Sequence, residues 1–493
     1  AAWVAQRKDM FAMLFFLLSI LWYLNEEREY LPSPDRLCQT AAGRWYWLSL
    51  AAFVLAMLGK GSVAVLPVLL LEIVWWRRKI SQWDLAKTAP FFLVAVVLAA
   101  VNMWFQTHGM EKVYRIASFS ERLLGAGDVV WFYLYKDLLP FDLTFVYPQW
   151  HIQTYNPLWW LPLAAAVAVT LVLWRYRKRW SRPFLFAWGF FCVALVPVMG
   201  FTDVGFMTYS LVADHYQHIA LIGVIALAAA GWNVWNQKAR GKVCLAAMVL
   251  AIAAVGALTF LTWRQSRLYG NPIILYQDTL EKNPNSWLIH NNLGLVLAEE
   301  GRPQEAVRHY EKALELNPDY PKIHNNLGKT LLDLGRVQDA IPHLIRAVKL
   351  KPDYSTAYNN LGVALGDAGR PQEAIGYFEK AINLNPNYAE AHSNLSVVLA
   401  KVGRYSEAID HCQQAIRIIP DLAGIYCNLA SIYAAMHRPS ESIAAAQKAL
   451  ELARIHGQKA LARQIESQLN PYRASFSDHP NTSAPSKSAP PSL

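Results

Sequence analysis

Apolar residues dominate the first half of the chain and fall into long stretches that short polar segments separate. Several of these stretches approach the ~17–25 residues that a helix needs to cross a bilayer. They predict a polytopic helical membrane domain over residues 1–264, with about eight spans. The predicted spans are 10–24, 46–59, 62–76, 90–105, 157–174, 183–201, 217–235 and 243–263.

The second and third stretches leave two interpretations open. Only Gly59, Lys60, Gly61 and Ser62 separate them, and each stretch is short for a complete crossing. They form either a tight helical hairpin or one long kinked span over 46–76. The choice decides on which side of the membrane the first span begins.

Segment 106–156 is too varied in composition to be a simple loop. Aromatic residues from Trp131 to Tyr135 precede Lys136 and Asp137, a composition typical of a helix lying at the membrane interface. We predict such an interfacial helix near 127–139, and an additional span is the alternative.

A second pattern governs the last part of the chain, where residues recur every 34 positions. The recurring residues are Pro284, Pro318, Pro352, Pro386 and Pro420, then Leu293, Leu327, Leu361, Leu395 and Leu429, then Ala306, Ala340, Ala374 and Ala408. This period, with small residues where two helices meet, predicts tetratricopeptide (TPR) repeats stacked into a solenoid. The predicted fold class is therefore all-α: a polytopic helical membrane domain followed by a TPR α-solenoid.

The repeat period also predicts the boundaries of the solenoid. Five repeats fill 287–456, and 271–286 matches the second half of a repeat, which indicates a capping half-repeat. Apolar positions in 457–470 predict a C-terminal capping helix. From Pro471 to Leu493 the chain is rich in Ser, Pro and Ala, so a disordered tail is predicted.

The net charge of +10 would indicate nucleic-acid binding in a soluble protein, but here the basic residues follow the apolar stretches. They cluster in short loops at 77–79, 175–182 and 238–242. This is the positive-inside bias of membrane proteins, which marks those loops as cytoplasmic and makes nucleic acid an unnecessary partner. The five cysteines show no paired spacing, so neither a disulfide framework nor a metal site is predicted.

The same loops predict a topology. With all three inside, the span 243–263 runs outward and the solenoid lies on the extracytoplasmic side. On the hairpin interpretation, the tip at Gly59–Ser62 also faces outward, as do 106–156 and 202–216. We expect the outer polar groups to gather on one surface.

An asparagine recurs in every repeat, one position before the periodic leucine. The set is Asn292, Asn326, Asn360, Asn394 and Asn428. On the first helix of a TPR repeat this position faces the concave groove, where an amide suits the backbone of an extended peptide. The alternative is that these amides form hydrogen bonds between neighbouring repeats. A second row, Asn291, Asn325 and Asn359, is interrupted by Ser393 and Cys427.

Polar residues at the predicted outer membrane face are candidates for binding a lipid phosphate, because ionisable groups there are costly and often functional. The candidates are Arg7, Lys8, Lys60, Asp214, His215 and His218. The competing interpretations are interfacial anchoring by histidine and tyrosine, snorkelling of Lys60, and a local ion pair among Arg7, Lys8 and Asp9. No Ser, His and Asp set has hydrolase spacing, so the catalytic residues stay unknown.

Residues 1–264 followed by these repeats resemble the transmembrane and tetratricopeptide repeat containing family and its bacterial relatives. The phrases that carry the resemblance are Trp3–Asp9 before an apolar span, Tyr147-Pro148, and Ala213–Tyr216 with Gly223 downstream. The resemblance implies a membrane domain of the GT-C glycosyltransferase class and a polyprenyl-phosphate sugar as the donor substrate. It also implies activity like that of protein O-mannosyltransferases.

The resemblance has two gaps. It implies a catalytic acid on an outer loop that precedes Ala1, so residues 1–493 alone are expected to transfer no sugar. The bacterial relatives also have arginine where this chain has His215, which is only partly charged at neutral pH.

These observations favour a glycosyltransferase of the bacterial inner membrane, with several spans and an extracytoplasmic TPR domain that binds acceptor or partner proteins. The alternative is a non-catalytic, membrane-anchored TPR scaffold for assembling envelope proteins. The sugar, the acceptor and the oligomeric state are not predicted.

Overall fold

A computed structural model describes residues 2–29, 43–109, 117–201, 207, 209–238 and 242–477. Across these residues the secondary structure is helical, without a β-strand, and the all-α prediction is confirmed. The chain divides into two compact units, Ala1–Ser286 and Trp287–Leu493. The predicted half-repeat 271–286 therefore falls in the first unit.

The N-terminal unit contains ten described α-helices. They are α1 Ala2–Glu29, α2 Arg44–Gly59, α3 Leu66–Arg77, α4 Gln82–Gly109, α5 Phe119–Leu138, α6 Leu161–Arg175, α7 Arg182–Leu195, α8 Leu221–Lys238, α9 Lys242–Leu268 and α10 Pro272–Lys282. Short 3-10 helices cover Gly61–Val65, Pro157–Trp160, Val196–Val198 and Asp214–Tyr216.

The chain reverses direction at Lys60, so the segment 46–76 is a hairpin rather than one kinked span. Helices α1 and α2 are antiparallel, because Glu26 accepts from the Gly43 N–H at the start of α2 and Ala12 lies against Gly59 at its end. Midway, Ser19 and Ser49 exchange hydrogen bonds of 2.8 and 2.7 Å between side-chain hydroxyls and backbone carbonyls. At one end of α1, Asp9 pairs with Lys60. At the other end, Glu27 pairs with Arg78 beyond α3. The reversal fits the extended backbone of Lys60 (φ −154°, ψ 123°), which ends α2.

In the core of the N-terminal unit, aromatic side chains of α1 and α2 pack around Phe91 of α4. The ring of Phe91 lies 6.1 Å from Tyr23, 5.8 Å from Tyr46 and 5.7 Å from Phe53, measured between centroids. These contacts join α1, α2 and α4, and Phe53 and Phe91 are fully buried. Such edge and tilted arrangements are favourable beyond their burial.

Helix α5 covers the segment in which an interfacial helix is predicted, but it begins earlier, at Phe119. A capping box fixes this start, since Ser118 and Glu121 satisfy each other's backbone N–H groups. One face of α5 is buried through Leu124, Val129 and Tyr133. The Tyr133 hydroxyl donates to the Ala213 carbonyl at 3.1 Å and accepts from the Ala213 N–H at 2.9 Å.

Four described helices are long and apolar enough to cross a membrane. These are Lys8–Glu27, Gln82–Phe105, Pro157–Arg175 and Met248–Leu268. Two shorter apolar helices, Arg44–Gly59 and Arg182–Val198, accompany them. The predicted span 217–235 differs from the structure at its start, because α8 begins only at Leu221, after turns and a 3-10 helix.

The C-terminal unit is a row of helix pairs followed by one further helix. Its helices are α11 Trp287–Glu299, α12 Pro303–Leu316, α13 Pro321–Asp333, α14 Val337–Leu350, α15 Ser355–Asp367, α16 Pro371–Leu384, α17 Ala389–Lys401, α18 Tyr405–Ile418, α19 Ala423–Ala435, α20 Pro439–Ile455 and α21 Lys459–Ser477. Each successive pair is one repeat, numbered one to five, and its two members are called helix A and helix B.

Small residues let helices A and B approach closely within each repeat. A Cβ added to Gly328 would lie 2.6 Å from Cγ of Leu344, and one added to Gly362 would lie 2.8 Å from the Phe378 ring. Ala306, Ala340, Ala374 and Ala408 on helix B have no exposed surface. The periodic small residues are therefore the contacts that set the spacing of the two helices.

Helix α21 corrects the predicted start of the tail. It continues past Pro471 to Ser477, whereas disorder is predicted from Pro471. A proline costs an internal hydrogen bond but does not always end a helix. The residues from 478 onward lie outside the described part of the chain.

Candidate functional sites

Lys60, the tip of the hairpin, forms an ion pair with Asp9 of α1. The Lys60 Nζ lies 2.9 Å from the Asp9 carboxylate, and each side chain is 21% exposed. The chain turns tightly here, since a Cβ on Gly61 would lie 2.8 Å from Nδ2 of Asn102 in α4. The local ion pair considered above involved only Arg7, Lys8 and Asp9, whereas in the structure Asp9 pairs with Lys60, which is distant in sequence.

His218 lies at the same end of the N-terminal unit. It is near enough to Lys60 and Asp9 to interact electrostatically with both, and Tyr216 interacts likewise with Asp9. Lys8 is exposed beside Asp9 in sequence. The side chains of Arg7 and His215 lie outside the described part. His218 therefore lies within electrostatic range of the Lys60–Asp9 ion pair.

Asp214 belongs to a different polar cluster, which the sequence did not predict. Its carboxylate accepts a 2.7 Å hydrogen bond from the Tyr147 hydroxyl. Burial raises the pKa of Asp214, while the Tyr147 hydrogen bond and the charges of Lys136 and Lys282 oppose that shift. Four separate segments supply these groups: α5, the loop after it, the 3-10 helix at Asp214, and α10 with Lys282.

The two lysines of this cluster fix the loop that follows α5. Lys136 Nζ donates to the Phe141 carbonyl at 2.6 Å and to the Asp142 carbonyl at 3.2 Å. Lys282 Nζ donates to the Leu143 carbonyl at 2.9 Å and contacts Asp278 at 2.8 Å. Burial lowers the pKa of Lys136. The sequence signal was Lys136 itself, a lysine closing an aromatic helix.

Asp137 is a buried acid beside this cluster. Both of its carboxylate oxygens are buried without a hydrogen-bond partner among the described residues. Burial raises the pKa of Asp137 to about 7. The group therefore changes its charge near neutral pH, as a residue that accepts or releases a proton must.

The periodic asparagines form a ladder of hydrogen bonds between neighbouring repeats. The Nδ2 of Asn326 donates to Oδ1 of Asn291 at 3.1 Å, and that of Asn394 donates to Asn359 at 3.1 Å. Asn360 donates to Asn325 at 2.9 Å. The alternative of contacts between repeats is thus observed for these amides.

Ser393 continues the ladder where an asparagine is missing. Its hydroxyl accepts from Nδ2 of Asn428 at 2.9 Å, so the second row is not interrupted at this position as the sequence indicated. The inner members Asn291, Asn325 and Asn359 are buried. The outer members are partly exposed except Asn360, which is buried.

Within the described residues, no group of three or more His, Cys, Asp or Glu side chains is placed to hold a metal ion. The three cysteines described there, Cys192, Cys412 and Cys427, are free thiols.

Three family models of the tetratricopeptide repeat match the chain, at residues 275–308, at 297–364, and at 353–421 and 387–455. Together these matches run from the half-repeat at α10 through the fifth repeat. The C-terminal unit is a tetratricopeptide repeat solenoid, the class of fold that presents an extended binding surface to other proteins. No family match covers residues 1–274, where the GT-C resemblance stays a prediction.

Several solved structures are similar to part of the chain. A thermophilic TPR protein of Thermus thermophilus is 30% identical, and the alignment covers 37% of this chain and 98% of that one, with a TM-score of 0.34. The MamA protein is 30% identical, with 35% and 94% covered and a TM-score of 0.31. PilF of Pseudomonas aeruginosa is 22% identical, with 43% and 93% covered and a TM-score of 0.34. No curated protein matches the sequence.

Proposed function

We propose that this protein is a membrane-anchored scaffold whose solenoid binds an extended segment of a partner protein. The observation that carries this proposal is the stack of five repeats with amide side chains in register along it. The four long apolar helices of the N-terminal unit support the membrane anchor. The charge bias of the loops supports an extracytoplasmic solenoid, and the family resemblance supports the bacterial inner membrane as the location.

The ladder leaves hydrogen-bonding capacity for a partner. An asparagine amide offers two donors and an acceptor oxygen. Asn326 and Asn394 each spend one donor on the preceding repeat. The bond to the buried inner row fixes the rotamer of each outer amide, so its remaining groups are preorganised for the backbone of a peptide.

The test removes the middle of the ladder with the triple substitution N326A/N360A/N394A. Each amide bond to a peptide contributes about 0.5–1.5 kcal/mol, so the affinity for a peptide selected from a random library should fall roughly tenfold or more. The control is N387A, which removes an exposed asparagine outside the ladder. Equal peptide affinity of the triple variant and this control would contradict the groove proposal.

The same variant tests the bracing role separately. Removal of three donors leaves the buried oxygens of Asn291, Asn325 and Asn359 without these partners. Each such loss costs about 1–3 kcal/mol, partly offset because helices favour alanine over asparagine. We expect a lower melting temperature for the triple variant and none of this loss for N387A.

A second candidate function is the one that the family resemblance implies, binding of a polyprenyl-phosphate sugar by the N-terminal unit as a GT-C glycosyltransferase. The observation that favours it is that Lys60 and His218, from distant parts of the chain, lie within electrostatic range of each other at one end of the unit. The Asp9 carboxylate neutralises Lys60, so a lipid phosphate would have to compete with it for the ammonium group.

Photo-crosslinking with a polyprenyl phosphate tests this second function. K60Q should reduce the labelling of the full chain several-fold, whereas K178Q, in the exposed basic loop 175–182, should not. Equal labelling of both variants would exclude Lys60 from a phosphate site and leave the scaffold proposal untouched.

A further inference from the structure

Histidine pairs join helix A to helix B in three of the five repeats. The Nδ1 atoms of His290 and His309 lie 3.0 Å apart in repeat one, and those of His324 and His343 lie 3.1 Å apart in repeat two. In repeat four, His392 and His411 are 2.9 Å apart. Repeat three has a stacked tyrosine pair at the same positions, Tyr358 and Tyr377.

The geometry of the pairs is that of a hydrogen bond with one proton between two nitrogens. The ring centroids of the three pairs are 5.3, 5.4 and 5.2 Å apart. Each distance equals the separation of the two Nδ1 atoms plus the distance from each nitrogen to the centre of its own ring, as expected when the four points lie on one line. The nitrogens therefore point directly at each other. A shared metal ion would require the two lone pairs to converge on a third point, and this arrangement does not provide one.

Backbone contacts assign the protons in repeats two and four. Nε2 of His324 lies 2.9 Å from the Pro318 carbonyl, and Nε2 of His392 lies 3.2 Å from the Pro386 carbonyl. Because a carbonyl only accepts, these Nε2 atoms carry hydrogen, and the Nδ1 atoms of the same neutral rings are acceptors. His343 and His411 must then donate their Nδ1–H groups. A pair can hold one extra proton, but a second would occupy the accepting nitrogen and break the bond.

We propose that these three pairs make the solenoid acid-sensitive, so that helices A and B loosen in repeats one, two and four when the medium acidifies, while repeat three does not respond. Tyrosine keeps its proton throughout the acidic range, which makes repeat three an internal reference. The proposal concerns the solenoid alone and does not depend on what the groove binds.

The direction of the effect follows from proton linkage. Burial lowers the pKa of His309, His343 and His411, and the charge of the partner histidine lowers it further. The folded chain therefore binds fewer protons than the unfolded chain below the ordinary histidine pKa of about 6.5. Stability is then present above this pH and is lost as the pH falls through it and below.

Both acidic and basic side chains surround each pair. Their effects on the histidine pKa oppose one another, so no single charge among them dominates it. These side chains are Glu305 and Arg308 in repeat one, Asp319, Asp339 and Arg346 in repeat two, and Arg404, Glu407 and Asp410 in repeat four.

Hydrogen exchange read by mass spectrometry on the full chain in lipid nanodiscs tests the proposal at pH 7.5 and pH 5.0, after correction for the intrinsic exchange rate. If the open state of a helix binds one more proton than the closed state, its equilibrium constant for opening rises up to tenfold for each pH unit of acidification. Between pH 6.5 and 5.0, opening of α11, α13 and α17 should therefore increase by up to about thirtyfold relative to α15. An equal response of α13 and α15 would overturn the proposal.

Two variants of repeat two sharpen the test. H324Y/H343Y copies the pair of repeat three and should abolish the acid response of α13 while α17 keeps its own. H343Q retains a donor that does not titrate and should reduce the response even if the tyrosine pair fails to fold. A response of α13 in H343Q equal to that of the unaltered chain would contradict the shared-proton mechanism.

Discussion

At the scale of single residues, the turn between helices A and B has one backbone requirement that recurs in every repeat. Gly301, Gly335, Gly369 and Gly403 have φ between 73° and 82°. The fifth repeat has His437 at this position, with φ 57°. An L-residue pays about 1–2 kcal/mol for this left-handed conformation, so the fifth repeat contains a local strain that the first four avoid.

This difference predicts opposite effects of two substitutions. Gly335→Ala should lower the free energy of unfolding by about 1 kcal/mol. Alanine restricts the unfolded chain, which favours folding, but its strain at φ 73° in the folded chain is larger. His437→Gly should raise it by up to about 1 kcal/mol. Urea unfolding monitored by helical circular dichroism checks both. A Gly335→Ala variant as stable as the original chain would show that the turn relaxes.

The sequence predicted which residues occupy equivalent positions in the repeats, but it did not predict which residues contact one another. A period of 34 shows which asparagines share one face, and both roles of that row could be stated from it. It could not show that Asn326 reaches Asn291, because this contact depends on the offset between two stacked repeats. The Lys60–Asp9 pair was not predicted for the same reason: the partners are far apart in sequence until the hairpin closes.

At the scale of elements, the N-terminal unit has a close contact between α5 and α6 that depends on one glycine. A Cβ on Gly127 would lie 2.7 Å from the backbone nitrogen of Leu163 and 2.8 Å from its Cα. Backbone atoms cannot move aside as a flexible side chain can, so the two helices would have to separate. The Trp131 indole N–H, which donates to the Pro162 carbonyl at 2.8 Å, would be displaced with them.

Gly127→Ala should therefore destabilise the N-terminal unit by about 1–3 kcal/mol. The matched control is Gly231→Ala in α8, where no atom lies within 4 Å of an added Cβ and alanine gains helix propensity. Thermal unfolding of the full chain in detergent measures both. Equal melting of the two variants would mean that α5 and α6 do not pack as described.

Element boundaries show where apolar patterning stops being informative. The predicted span 217–235 begins at Gln217 and His218, which are polar, whereas α8 begins only at Leu221. Helix α21 passes through Pro471, which composition alone assigned to a tail. Hydropathy reports burial in lipid or protein, but turns depend on backbone contacts such as the hydrogen bond between Tyr133 and Ala213.

At the scale of the whole molecule, the N-terminal unit has two basic loops at one end and the Lys60–Asp9 pair at the other, which is the separation that the predicted topology requires. The Arg182 guanidinium donates to the carbonyls of Trp75 and Trp76 at 3.0 and 2.7 Å. The basic loops 77–79 and 175–182 therefore lie at one end of the unit. The hairpin places Lys60 at the opposite end, beside Asp9.

The arrangement supports a topology test. A reporter that is active only in the periplasm should be active when fused after Leu493. The same reporter fused after Lys178 should be inactive, because that loop is predicted to be cytoplasmic. Activity of the second fusion and silence of the first would invert the topology. The proposed location would then be wrong, although the solenoid itself would be unaffected.

Helix α21 covers an apolar face of α20 at the end of the solenoid. Ile465 and Leu469 on α21 cluster with Ala449, Leu452 and Ala453 of α20, and all five are nearly inaccessible to solvent. A chain ending at His456 would expose this apolar face of α20. Two identical faces can cover each other across a twofold axis, so the shortened chain should form tail-to-tail dimers in sedimentation velocity. In the longer chain α21 covers this face of α20, so we expect no such dimer when α21 is present.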